Sequence, residues 1–105
     1  MNEILKNLRK SQLLIADTID KMSWIVTRLR TGKRGAWAVH IPGALRAANT
    51  IAKLGQELVA QSEHCTITEC GIADLLVARI VEVKIRQEKV MIERCYDAVL
   101  AELES

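Results

Sequence analysis

Apolar residues in the first part of the chain recur at the spacing of an amphipathic helix. From Asn2 to about Thr31 they lie three, four and seven residues apart, and no glycine or proline interrupts them before Gly32. Glycine often ends a helix because it adopts positive φ without strain. The pattern predicts one long helix whose buried stripe contains Ile4, Leu8, Ile15, Met22, Ile25 and Leu29, with Ser11 and Thr18 as small polar positions between them.

A second helix is predicted from about Gly43 to Ser62, after a loop at residues 32–41. Pro42 fits the first turn of this helix, because its missing N–H would have no helical partner there. Small residues on the inner face allow close antiparallel packing on the first helix. This predicted inner face consists of Leu45, Ala48, Ile51, Ala52, Gly55, Leu58 and Val59.

A third helix is predicted after a connection at residues 63–67. Thr66 and Glu69 have the spacing of a capping box, with Thr68 as an alternative cap, and no helix breaker follows Gly71 before the predicted end near Leu103. The apolar positions of this helix cover more than one narrow stripe. We therefore expect it to contact other helices on more than one side.

These three elements predict a single all-α domain over residues 1–105, folded as a three-helix bundle. Helices of about 30, 20 and 35 residues would span roughly 45, 30 and 50 Å, so they could not cover one another completely. A second copy of the chain could cover the remaining apolar surface. We therefore expect a homo-oligomer, with a two-fold dimer favoured.

Composition and charge add weaker information about location and partners. The chain has a net charge of +2; basic residues outnumber acidic ones in residues 1–40, whereas the reverse holds in residues 71–105. No apolar run is long enough for a signal peptide or a membrane span, so we expect a cytoplasmic protein that does not bind membranes. Three cysteines in such a chain favour reduced thiols over a disulfide framework.

The stretch RLRTGKRGAWAVHIPG, residues 28–43, is the main candidate site. One interpretation is a solvated connection whose cations are stabilised by the end of the first helix; the other is a patch that binds an anion or a partner. Trp24 lies one turn before Arg28, and could either pack beneath that side chain and Trp37 or take part in binding. The candidate partner-binding or anion-binding residues are Trp24, Arg28, Arg30, Lys33, Arg34, Trp37 and His40.

The sequence gives little support for a metal site or for catalysis. His64, Cys65 and Cys70 could supply three ligands, but no second short cysteine pair accompanies them, so buried thiols are favoured and no metal is predicted. His40 and His64 are separated by a whole predicted helix and have no nucleophile or carboxylate in a catalytic arrangement. We expect neither enzymatic activity nor a cofactor.

The favoured function is that of a small helical interaction protein, which binds and regulates a protein partner as a homo-oligomer. Regulators, assembly factors and inhibitors encoded by phages or mobile elements include helical proteins of this size. The alternative is binding of nucleic acid or of a phosphorylated small ligand, such as a nucleotide, through the basic and aromatic patch of residues 24–40.

Overall fold

The computed structural model describes residues 2–31, 35–67 and 71–104, with the backbone alone at positions 2, 31, 65–67 and 104. Three long helices and one short 3₁₀ helix form an elongated bundle of 53 × 18 × 18 Å. The elements are α1 (Asn2–Thr31), η1 (Ala36–His40), α2 (Ile41–Ile67) and α3 (Ile72–Glu104). The predicted all-α three-helix bundle is confirmed. Within the described ranges, no helix has an apolar stretch long enough to cross a lipid bilayer.

The connection between α1 and α2 contains more structure than the sequence predicts. The prediction of a loop over residues 32–41 is wrong for 36–41, because residues 36–40 form η1 and Ile41 begins α2; residues 32–34 lie outside the described residues. The Ala38 N–H donates to the Gly35 carbonyl at 3.1 Å, and the Ala36 N–H donates to the Glu102 carboxylate of α3 at 2.7 Å. The second of these bonds holds η1 against the end of α3. Pro42 is the second residue of α2, as predicted.

The boundary between α2 and α3 also differs from the prediction. Residues 63–67 belong to α2, so the predicted connection there is wrong. Thr66 lies in the last turn of α2 and does not begin α3, so the predicted capping box is also wrong. Thr68 and Glu69 lie outside the described residues. Instead, the Asp74 carboxylate accepts a hydrogen bond from the Gly71 N–H at 2.9 Å and caps the start of α3. With 27 residues, α2 nearly matches α1 and α3 in length. The unequal lengths predicted above therefore no longer argue for a dimer.

α3 is the central helix of the bundle. It packs on both α1 and α2, which confirms that it contacts helices on more than one side, whereas α1 and α2 contact each other much less. The side chains of Ile25, Ile85, Ile92 and Cys95 are fully buried in this core. Burial of apolar surface on two sides of one long helix stabilises the fold.

The orientation of α2 differs from the prediction of close packing on α1. Ala44, Ala47 and Leu54 face the core, whereas Leu45 and Val59 of the predicted inner face are exposed. The reason is that α3 offers the wider apolar surface, so α2 turns its face toward α3. In α1, the predicted stripe is largely confirmed: Ile4, Leu8 and Ile25 are buried with Ser11 and Thr18 between them, while Ile15, Met22 and Leu29 are half-buried.

Candidate interaction surfaces

Trp24, the first residue of the predicted patch, is held between α1 and α3. Its ring lies against that of Tyr96, with centroids 4.9 Å apart and planes tilted by 58°. The Arg28 guanidinium lies over the Trp24 ring, 5.1 Å from its centroid. The stacking of Arg28 on Trp24, one part of the packing interpretation, is therefore present, but the aromatic ring against Trp24 is that of Tyr96 and not of Trp37. A binding role for either residue stays a prediction.

The remaining residues of the predicted patch lie in different environments. Trp37 is only 4% exposed and belongs to the core, so its ring is not available at the surface. His40 is half-buried at the end of η1, whereas Arg30 is exposed on α1. Lys33 and Arg34 lie outside the described residues. The structure thus joins Trp24 with Arg28, but places Trp37 in the core.

An ionic cluster joins α1 to α3 beside the Trp24 ring. Lys89 of α3 is buried, and its ammonium donates to the carboxylates of Asp17 and of Glu93, the latter at 3.1 Å. Lys21 pairs with Asp17 at 3.1 Å, and its ammonium lies 5.5 Å from the Tyr96 ring centroid. The two carboxylates compensate the charge of the Lys89 ammonium, whose burial without a partner would lower the stability of the fold.

The contacts in this cluster lower the pKa of Asp17 and raise the pKa of Lys89. Hydrogen bonds from Lys89 and Lys21 hold the pKa of the Asp17 carboxyl below its usual value, although partial burial opposes them. For Lys89, burial lowers the pKa, but the hydrogen bonds to Asp17 and Glu93 outweigh that effect and raise it. Both groups are therefore ionised at neutral pH, and they act as a structural contact between the helices.

The cysteine and histidine residues considered as metal ligands are only partly described. The His64 Nε2 lies 3.6 Å from the Asp74 carboxylate. The side chain of Cys65 and all of Cys70 lie outside the described residues. In the part of the chain that the structure describes, no three His, Cys, Asp or Glu side chains cluster as metal ligands do. Cys95 is a free thiol in the core, and burial raises its pKa.

The solvent-facing side of α3 carries an apolar stripe that no other helix covers. We name it the α3 ridge; its residues, spaced three, four or seven apart, are Ile72, Leu76, Ile80, Val83 and Val90, all exposed. The exposed charged side chains between residues 76 and 94 are all basic: Arg79, Lys84, Arg86 and Arg94. The acidic residues of the same segment, Glu82, Glu88 and Glu93, are half-buried, and the carboxylates of Glu82 and Glu93 are paired with cations.

A second uncovered surface is a groove between α1 and α2, which we name the α1/α2 groove. It consists of two adjoining cavities of about 440 and 530 Å³, lined by α1 and α2 and sharing Ile15 and Ile19. The α2 wall includes Ala52, Gly55 and Val59. The groove exists because α1 and α2 both turn toward α3 and leave a gap between them.

The sequence carries signals for both surfaces, although neither surface forms a recognisable motif. The α3 ridge follows from apolar residues that exceed what one buried stripe needs, and the groove follows from apolar residues on two sides of α2. No protein-family model matches the chain, and neither a curated protein nor a solved structure shows significant similarity to it. The function is therefore inferred from the α3 ridge and the α1/α2 groove.

Proposed function

We propose that this protein is a non-enzymatic helical interaction protein, which works as a homo-oligomer and binds an acidic amphipathic helix of a protein partner on the α3 ridge. The observation that carries the proposal is the exposed stripe of aliphatic side chains on α3. Exposed apolar patches of this kind mark interaction surfaces, and helical spacing suits a helical partner. Such binding could serve regulation, assembly or inhibition.

The charges beside the ridge support an acidic partner. Arg79, Lys84, Arg86 and Arg94 are exposed along it. The ion pair of Arg79 with Glu3 is exposed on both sides and weak, so the Arg79 guanidinium remains able to attract a carboxylate, whereas Arg86 is paired with the half-buried Glu82. A second copy of α3 would instead bring cations against cations. Charge complementarity therefore favours a different chain with acidic side chains beside its apolar stripe.

A pair of synthetic peptides tests this proposal. One is an amphipathic helix of about three heptads with Leu at the a and d positions and Glu at e and g; its twin carries Lys in place of Glu. Fluorescence anisotropy, at concentrations where each peptide alone is monomeric, measures Kd. The acidic peptide should bind at least about tenfold more tightly, and added salt should reduce the difference.

Matched variants locate the binding surface. Ile80→Asp on the ridge should weaken binding of the acidic peptide by at least about tenfold. Leu13→Asp introduces the same charge at an exposed apolar position on α1, away from the ridge, and should leave Kd nearly unchanged. Equal binding of the two peptides, or equal loss in both variants, would reject the α3 ridge as an acidic-helix site.

The alternative proposal, binding of nucleic acid or a phosphorylated ligand, has less support. Arg28 and Arg30 are exposed and could contact phosphates. However, the Trp37 ring is buried, and the Trp24 ring is occupied by Tyr96 and Arg28, so the aromatic platform for stacking bases is reduced. Binding of a mixed-sequence oligonucleotide that weakens steeply with salt would favour this alternative.

A further inference from the structure

We infer that the α1/α2 groove is the interface with a second copy of this chain, arranged antiparallel about a two-fold axis. This inference rests on the homo-oligomer part of the proposed function and identifies the surface and geometry of association. It uses the face of the bundle formed by α1 and α2, whereas partner binding is assigned to α3.

The middle of the groove is apolar and open to solvent. Ile19 and Val59 are exposed on its two walls although both are large aliphatic residues. Ala52 is exposed on the α2 wall and has a short side chain, so another chain can approach the α2 backbone closely there, whereas Gly55 lies against Ile15 of α1. Burial of these aliphatic side chains against a second chain would provide the driving force for association.

The charges at the two ends of the groove indicate which partner it binds. Among the described lining residues, only two are charged: Arg30 in one cavity and Glu63 in the other. Glu63 shares its cavity with Gln12, and Gln12 lies 18 positions before Arg30 on α1, so the two charges are about 27 Å apart. The groove is therefore basic at one end, acidic at the other and uncharged between.

A two-fold axis across the centre of the groove exchanges its ends. Arg30 of each copy then meets Glu63 of the other, and the contact forms twice because the interface is isologous. A parallel arrangement would place like charges together at both ends. The undescribed internal segments, residues 32–34 and 68–70, are too short to fill a groove of this length. A second copy would therefore bury the apolar middle and pair the charges at both ends.

A charge-exchange experiment tests the geometry. Sedimentation velocity over a dilution series in the micromolar range, at low salt, gives the dimer dissociation constant of the full chain. Arg30→Glu and Glu63→Arg should each raise that constant about tenfold, because each places like charges together twice per dimer. The double variant Arg30→Glu/Glu63→Arg restores opposite charges and should recover most of the wild-type affinity.

A second set of variants tests the apolar middle and keeps folding separate from association. Ile19→Asp should give monomers, whereas Leu13→Asp, an equal change at a position 71% exposed outside the groove, should still dimerise. Circular dichroism should show unchanged helicity in both. A monomeric wild type would overturn the dimer and the homo-oligomer part of the proposed function together.

Other outcomes overturn the inference alone. If the wild type associates but Ile80→Asp on the α3 ridge disrupts it and Ile19→Asp does not, the interface lies on α3. If Ile19→Asp disrupts the dimer but the double charge variant is no better than the singles, the antiparallel two-fold arrangement is wrong. Peptide binding to the ridge is measured separately, so it is unaffected by either result.

Discussion

The rings of Trp24 and Tyr96 pack against each other across the α1–α3 contact, with centroids 4.9 Å apart. Tilted aromatic pairs of this kind add stability beyond the apolar area they bury. We predict that Trp24→Ala lowers the free energy of unfolding by roughly 2 kcal/mol, less than for a fully buried tryptophan because Trp24 is half-buried.

Urea unfolding followed by circular dichroism measures this change. Arg28→Ala is the control, since it removes only the exposed cation above the ring and should cost less than about 1 kcal/mol. A Trp24→Ala protein as stable as the wild type would show that the ring contributes little to packing and would return weight to the binding interpretation.

Ser11 offers a stabilising substitution. Its side chain is fully buried on α1, and its hydroxyl oxygen has no hydrogen-bond partner among the described residues. Removing an unpaired buried hydroxyl relieves its desolvation cost, and alanine also has the higher helix propensity. We expect Ser11→Ala to raise the free energy of unfolding by about 1 kcal/mol.

Ser23→Ala provides the matched comparison, because Ser23 is exposed on the same helix. It gains helix propensity without removing a buried polar group. Thermal and urea unfolding should therefore show a larger gain in stability for Ser11→Ala than for Ser23→Ala. A destabilised Ser11→Ala protein would indicate that the Ser11 hydroxyl makes a hydrogen bond in solution.

The Asp17–Lys89 contact predicts a specific response to acid. The pKa of Asp17 is lower in the folded protein than its usual value, so the unfolded chain binds more protons on this group as the pH falls. The stabilisation is complete above the unfolded pKa and is lost as the pH falls through the folded pKa. We expect Asp17→Asn to flatten the decline in unfolding free energy below about pH 5.

Urea unfolding at a series of pH values measures that slope. Asp20→Asn removes an exposed carboxylate from the same helix and is the matched control. An Asp17→Asn slope identical to that of the wild type would contradict a folded-state shift at Asp17. At the alkaline end, the raised pKa of Lys89 means that its contribution persists up to the unfolded pKa and is lost above it.

Cys95 should be unreactive in the native protein. Its side chain is fully buried, and burial raises the pKa of the thiol, so both access and thiolate formation are suppressed. In a Cys65→Ser/Cys70→Ser variant, Cys95 should react with a disulfide reagent at least about 100-fold more slowly in buffer than in urea. Equally fast labelling in both solvents would place this thiol outside the core.

The helices could be predicted from sequence, but their orientation could not. The spacing of apolar residues and the absence of breakers determine α1 and α3, because both signals are local. In α2, Ala44 and Leu54 lie on one face while Leu45 and Val59 lie on another, and periodicity alone does not say which face meets a neighbour. The choice depends on the width of the α3 surface, which is a tertiary property.

The candidate site shows the same division. Arg28 stacks on Trp24 because the two residues are four positions apart on one helix, and that spacing is visible in the sequence. Tyr96 and Lys89 meet α1 only through the packing of α3; Lys89 and Asp17 are 72 positions apart. No local motif indicates a contact over such a separation.

The ionic contact of Lys89 also limits how α1 can slide along α3. A shift of one helical turn, about 5.4 Å, would bring either Lys21 or Leu13 to the place that Asp17 occupies. The first would oppose two ammonium groups, and the second would replace one carboxylate partner of Lys89 with an aliphatic side chain and leave the ammonium with Glu93 of its own helix. The aliphatic stripes of these helices tolerate such a slip, since similar residues recur at each turn. The contacts of Lys89 make the slipped alignments less stable than the observed one, and so favour a single alignment of α1 on α3.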